Sequence, residues 1–333
     1  QQIEGHTCME IQLIFVFLST LSLVAGNFDF CYMLHYNAQM CKPANSSVLM
    51  NIYRGRVNES VILINNSSHI DVEMYPDSTV NRSTYGMMTF TEDSFKDLQK
   101  LRSIRLSVVE FQGTPSPFVN LQFLESIAFR DNNLSEFPRE FFRGIPHLKT
   151  ISVYDQEIRN LPKNSLDEVG DHLENLELKK LQLESIEPGA FSRLSHLKNL
   201  ILDDNQLQAL GPEIFEGLGH LETLQVQKNQ VKSIEPRTFD GSPRLRELNL
   251  EFNYLETLPD KIFHRLENLK TLLLYHNQII NKFYDLTAGL KNLTVWSFGE
   301  ITKHTSELSV VDPPEIGSLI RIIYLMEKEN PEM

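Results

Sequence analysis

The chain has 333 residues, with 31 Lys and Arg against 44 Asp and Glu, a formal net charge of −13, and three cysteines. Such an acidic balance argues against nucleic acid and anionic lipid as partners, because both call for basic patches. No apolar run reaches the roughly 18 residues of a membrane-spanning helix, which argues against a transmembrane receptor.

The first methionine is Met9, so residues 1–8 read as leader sequence outside the folded protein. Ile11 to Ala25 is an almost wholly apolar stretch. At about 15 residues it matches the core of a signal peptide and is too short to span a bilayer. Residues 9–26 are therefore assigned as signal, with the small residues Ala25 and Gly26 marking cleavage before Asn27; the stretch before the apolar core lacks the usual Lys or Arg. Losing Glu4 and Glu10 with it takes the formal charge from −13 to −11.

Removal of the signal discards Cys8 and leaves Cys31 and Cys41. A pair of cysteines in a secreted chain reads as one disulfide closing a small loop, here within an N-terminal cap over 27–60. No further Cys or His completes a set of four ligands beside them, so neither metal nor cofactor is expected. Asn45, Asn58, Asn65, Asn66, Asn81, Asn133 and Asn292 each begin an N-x-[ST] triplet, the acceptor of N-glycosylation. Their crowding between Asn45 and Asn81 predicts a carbohydrate-covered N-terminal region.

Val61 to Ile64 read as a first strand, and the interval from Ser67 to Thr89, rich in Ser, Thr and Asn, reads as a loop or insertion. Leu101, Ile104, Leu106 and Phe111 mark a degenerate coil, which Gly113 to Pro117 interrupt on its far side. A repeat then takes over, its copies beginning at Leu124, Leu148, Leu173, Leu197, Leu221, Leu245, Leu269 and Leu293. One interval is 25 residues and the others are 24. The copy Leu197-Lys-Asn-Leu200-Ile-Leu202-Asp-Asp-Asn205-Gln-Leu207 fits LxxLxLxxNxL. A fixed period of this length means a solenoid of stacked coils sharing one core.

Within each copy the apolar residues alternate as on a short strand. Leu200 and Leu202, Leu224 and Val226, Leu248 and Leu250, and Leu272 and Leu274 are expected to point inward. The ninth place holds Asn132, Asn205, Asn229, Asn253 and Asn277. An amide there donates and accepts at once, satisfying backbone groups in the turn after the strand. The alternative is a solvent-exposed turn asparagine. Gln156 and Leu181 take this place in two copies, which predicts local distortion over 148–196. A second spine, Phe142, Leu166, Phe191, Phe215, Phe239 and Phe263, falls eighteen residues after each first leucine, and Phe95 extends it backwards. Pro188, Pro212 and Pro236 precede three of these phenylalanines, holding extended backbone that leads into a turn of helix.

After Leu293 the pattern fades. Trp296 and Phe298 hold the inward places, but Ile301 replaces the asparagine. The tail 299–333, with Pro313, Pro314 and the apolar run Ile316 to Leu325, reads either as a helical cap over the open end or as a divergent or truncated terminus.

The pattern resembles the extracellular, 24-residue class of leucine-rich repeat proteins, which includes Toll-type receptors, chaoptin-like and Slit-like proteins and the acid-labile subunit family. It covers about 200 residues of the chain and is specific for fold rather than function. It implies an α/β repeat solenoid: a horseshoe with a parallel concave sheet and short helical or extended convex segments, over residues 61–298 and regular from 101. It also implies four cysteines in the cap, where this chain has two, and four more at the C-terminus, where it has none.

By the same resemblance the concave face is the expected ligand site. The candidates along it are Tyr154, Glu177, Asp203, Gln225, Gln227, Glu247, Glu251, Phe252, Tyr275 and His276. Phe252, Tyr275 and His276, with Leu273, form a candidate aromatic patch, the alternative being an isolated exposed ring. Glu177, Asp203, Asp204, Glu247 and Glu251 form an acidic strip with Lys179, Lys180 and Lys228 interspersed; it reads as a site for a basic partner or as a merely solvated face. His147, His172, His196 and His220 recur because each precedes a first leucine, and they read as structural repetition on the outer side. None of the ten histidines stands in a nucleophile, zinc or phosphate-loop motif, so no catalytic residue is assigned. The expected function is a secreted protein that binds protein or glycan ligands outside the cell, in recognition, adhesion or innate immune sensing. The alternative is a structural matrix component.

Overall fold

The alternation of apolar residues in each copy becomes one parallel sheet of ten strands that stack in chain order. The structure, a computed structural model, describes residues 100–298 except 108, 112–115, 133, 282–285 and 288. It also describes the upstream strands Cys31–Tyr32, Met40–Cys41, His69–Glu73 and Met88–Phe90. The leader, the signal run, the strand expected at Val61 to Ile64, Phe95, the sequons from Asn45 to Asn81 and at Asn133, and the tail 299–333 lie outside the described residues. Among the described residues no helix is long and apolar enough to cross a membrane.

The register is that of the repeat. Leu176, Leu200 and Leu224 pair in line, as do Leu248, Leu272 and Trp296. These leucines are at most 1% exposed. Each such side chain contributes about 1.5–3 kcal/mol relative to leaving it in water. One strand has too few of them to be stable alone; the stack supplies the missing walls. The outer path is made of turns, the 3-10 segments Arg139–Phe142 and Asp167–Val169, and two-residue strands such as Ala209–Leu210, which pairs with Ser233–Ile234.

A strand of the sheet stands where the sequence was read as a loop or insertion. His69–Glu73 lies in that stretch and pairs in parallel with Ser103–Ser107, placing Ile70 beside Ile104 and Val72 beside Leu106. Met88–Phe90 pairs likewise with Val109–Phe111 on another sheet. From His69 to Ser103 is 34 residues, so a search at the 24-residue period steps over this coil.

The ladder asparagines are buried, which removes the reading of them as solvent-exposed turn residues. Asn205 accepts the N–H of Leu181 and of Leu183 at 2.9 and 3.2 Å, and donates to the carbonyls of Leu178 and Leu202 at 2.7 and 2.9 Å. Asn229, Asn253 and Asn277 repeat the arrangement one coil at a time. The distortion expected over 148–196 is confined to one turn, where Gln182 beside Leu181 adopts φ +58°, a second left-handed residue that no other described coil has at that place. Gln156 does much of the same work, its carbonyl accepting the Leu134 N–H and its amide donating to Tyr154, both at 2.9 Å. Leu181 is simply buried. The strands there, Thr150–Tyr154 and Asn175–Lys179, pair over five residues, more than the three of Asn199–Ile201 with its next neighbour.

Phe142, Phe191, Phe215, Phe239 and Phe263 are all buried, and Leu166 sits among them. Phe215, Phe239 and Phe263 stack face to face, with centroids 6.1 and 5.9 Å apart. Phe118 belongs to the same spine, fully buried; its copy is one residue shorter, which hid it from an offset counted forward. Neighbouring outer turns come backbone to backbone at two glycines: a Cβ would lie 2.5 Å from the Ser192 carbonyl oxygen at Gly217, whose φ is +88°, and 2.8 Å from the Arg193 carbonyl oxygen at Gly170.

Along the lateral edge, the residue after the first leucine alternates in sign from the coil of Leu101 to that of Leu245: Arg102, Glu125, Lys149, Glu174, Lys198, Glu222, Arg246; Lys270 after Leu269 ends the alternation. Ion pairs join neighbours across coils, Arg102 with Glu125, Lys149 with Glu125 at 3.8 Å, Lys198 with Glu174 at 2.8 Å and Arg246 with Glu222 at 3.1 Å. The Lys198 ammonium, hydrogen-bonded to Glu174, holds that carboxyl below its usual range. These side chains are about a third or more exposed, so each pair is worth only about 0–1 kcal/mol.

Candidate functional site

Strand geometry puts alternate residues on the concave surface, and parallel register aligns them in rows across the coils. One row runs Arg130, Tyr154, Lys179 and Asp203, and continues through Gln227 and Glu251. The next runs Glu177, Ile201, Gln225, Asn249, Leu273 and Ser297.

Most polar groups in these rows bond to a neighbour. Tyr154 donates its hydroxyl to the Glu177 carboxylate. Asn199 donates to Asn175, which donates to Thr150. Gln225 donates to Glu247 at 3.2 Å. Asp203 is 2% exposed; it accepts the backbone N–H and the amide of Gln227 at 3.2 and 3.1 Å and sits 3.8 Å from the Lys179 ammonium. Asn249 continues this line by donating to Gln227. Glu251 accepts the Ser297 hydroxyl at 2.7 Å, reaching across the whole of strand Thr271–Leu274. The acidic strip is thus knitted across coils rather than merely solvated, and Asp204 also faces Lys228 at 4.0 Å.

Burial pushes the Asp203 pKa above its ordinary value, partly offset by the Gln227 hydrogen bonds and Lys179. The ionised carboxylate therefore opposes folding above the folded-state pKa, and that cost fades as pH falls through it. Asp203→Asn is accordingly expected to be most favourable relative to the parent at neutral pH and to lose that advantage as pH falls towards 4. Urea midpoints of the two proteins across this range check it; an advantage that grows on acidification would contradict it.

The aromatic candidates do meet. Phe252 and His276 stack with centroids 4.2 Å apart, Tyr275 and His276 are 4.0 Å apart, and Phe252 meets Tyr275 edge to face at 6.4 Å. Phe252 is 40% exposed. Its φ is +55°, the conformation that every regular coil adopts just before the ladder position, where Asp131, Asp155, Lys180, Asp204 and Lys228 also sit. A bulky aromatic residue there is unusual.

The candidates fall into two groups, Tyr154 with Glu177 near the middle of the sheet and the ring cluster near its C-terminal end. Three contributors escaped the sequence reading. Ser297, which fixes Glu251, lies in a copy whose pattern is fading. Tyr254 and Ile280 are 53% and 80% exposed; their signal was a ring or an aliphatic chain at places where other coils carry Gln230 or Lys232. The four recurring histidines are exposed on the outer loops, His196 and His220 with parallel rings 6.0 Å apart. Among the described residues no three His, Cys, Asp or Glu cluster as a metal site.

Two family models match. One, described as leucine rich repeat, covers residues 195–255 and 243–295; the other, a BspA type leucine rich repeat region, covers 82–169. No curated protein matches. Among solved structures, the TLR13–ssRNA13 complex is similar with a TM-score of 0.60 at 23% identity, over 70% of this chain and 33% of that one. The Toll–Spatzle complex of Drosophila gives 0.53 at 16% identity, over 80% and 47%; its glycosylated form gives 0.56 at 18%, over 82% and 48%. This chain thus spans from a third to about half of those chains, and at these identities the likeness is one of fold. One of them is an RNA complex, so this architecture does not exclude nucleic acid as the charge balance had suggested.

Proposed function

The chain is a leucine-rich repeat protein, and from that premise we propose that it is a secreted recognition module whose concave face binds protein or glycan ligands outside the cell. The supporting observation is where the copies differ. Their inward places are apolar in coil after coil, as the shared core requires, whereas the concave places change from Thr and Asn to Glu, Leu and Tyr. A continuous sheet face whose side chains differ from coil to coil while its core stays fixed is what a binding surface needs. The Toll and TLR13 structures, both complexes, carry such a face on the same fold.

A photo-crosslinking residue at Gln225, on the concave face, is expected to trap a partner from extracellular fluid or cell surfaces; one at Glu213, exposed on the outer side, is not. Equal labelling from both positions would sink the proposal. Ribonuclease sensitivity of the trapped species would instead identify the ligand as RNA.

Secretion is supported by the signal-like run, the sequons and the backbone register of the first two strands. Cys31–Tyr32 and Met40–Cys41 pair antiparallel with Cys31 directly opposite Cys41, a placement compatible with a disulfide. In protein recovered from culture medium, Cys31 and Cys41 are expected to resist alkylation until reduced, on a chain that starts near Asn27 and shifts in mass on deglycosylation. Free thiols on an unglycosylated chain retaining Met9 would refute this. Asn292, exposed beside the last described strand, is the sequon that falls among the described residues.

A further inference from the structure

Between Asn199 and Ser297 the concave strand positions carry three carboxylates, Asp203, Glu247 and Glu251, and no Lys or Arg; Lys228, which shares the row of Phe252, faces Asp204 at 4.0 Å. Asp203 is engaged by Lys179, which leaves Glu247 and Glu251 without an ion pair among the described residues. Beside Glu251, four residues on from Glu247, stand the rings of Phe252, Tyr275 and His276, held against one another and partly open to solvent. The fold does not ask for a ring at Phe252: the equivalent places in the five preceding coils hold Asp or Lys, only the next coil repeats a ring with His276, and the side chain adds nothing to the core. Glu251 is fixed by Ser297 two coils on, so its carboxylate is held in place next to the ring cluster.

Resting on the concave-face reading above, we propose that the rings of Phe252 and Tyr275 together with the carboxylate of Glu251 form a receptor for an arginine side chain presented by a protein ligand. An aromatic face attracts a cation through its quadrupole, and a guanidinium can lie flat on a ring while donating in its plane to a carboxylate. Lysine offers a point charge and no plane, so arginine fits the pair of features better. The acidic balance of the chain adds long-range attraction for a basic partner.

The probe is a fluorescent peptide with three Gly-Ser-Arg repeats, compared with a twin in which citrulline, neutral and of the same shape, replaces each arginine. Binding to the full-length protein is expected to saturate and to weaken about tenfold or more for the twin. Phe252→Asn removes the ring, keeps the charge and suits the left-handed backbone; it is expected to weaken binding about tenfold, as is Glu251→Gln. Glu213→Gln on the outer side makes the same change in net charge and should leave binding within about twofold, because diffuse attraction is shared by every carboxylate. Equal binding of the two peptides, or equal effects of Glu213→Gln and Glu251→Gln with none from Phe252→Asn, would overturn the proposal. A partner that crosslinks at Gln225 from both the parent and Phe252→Asn with equal yield would also overturn it, while leaving the concave-face reading intact. Arginine-peptide binding with the expected sensitivities, but no crosslinking at Gln225, would support this site and count against the broader reading.

Discussion

Phe239→Ala is expected to destabilise the protein by about 3–5 kcal/mol. Phe239 is buried between Phe215 and Phe263, so truncation opens a cavity and breaks two ring stacks at once. Because each coil touches chiefly its neighbours, the damage should stay local. Hydrogen exchange should speed up between about residues 215 and 265, with little change near Leu148–Leu176. Uniform loosening of the whole chain would contradict a linear solenoid with nearest-neighbour coupling.

The second large effect is expected at Asn205. Replacing it with Ala strips the Leu181 and Leu183 N–H groups of their acceptor and leaves both buried. Each unpaired group costs roughly 1–3 kcal/mol. Asn205→Asp offers a discriminating comparison. It keeps an acceptor for both N–H groups but can no longer donate to Leu178 and Leu202, and it places a charge in the turn. Denaturant midpoints of both variants below the parent would support the ladder; an unchanged midpoint for Asn205→Ala would show that water serves those groups equally well.

Much of the fold was legible because the core of a solenoid is written as a period. The inward leucines, the asparagines and five of the six spine residues read as phenylalanine repeat with every turn, so one register predicted strand pairing as far as Trp296 and Phe298. The early coils were not legible in that way. His69–Glu73 has only two aliphatics, Ile70 and Val72, at the register places of Ile104 and Leu106, after an irregular interval, and no offset of 24 points to it. Gln156 was read as a flaw in the ladder because it is not an asparagine, yet its amide, one methylene further out, still serves the Leu134 N–H and the Tyr154 carbonyl; the extra residue of that 25-residue copy lies elsewhere, between Leu166 and Leu173.

The candidate site was legible only as a face. Alternation identifies which residues point to solvent on the concave side, but not which of them bond to each other. The Glu251–Ser297 contact joins residues 46 apart and follows no repeat rule, since it skips a coil. The meeting of Phe252 and Tyr275 was readable, because adjacent places in successive copies must lie side by side.

The alternating charges along the lateral edge make coils non-interchangeable in a specific sense. Deleting one copy, residues 173–196, would set Lys149 against Lys198 and leave Glu125 and Glu222 as the acids on either side. Deleting two copies, 173–220, would set Lys149 against Glu222 and restore the sequence of opposite signs. The lengthening or shortening of this protein by whole coils should therefore be tolerated better in even steps than in odd ones, a parity rule imposed by the surface and not by the core.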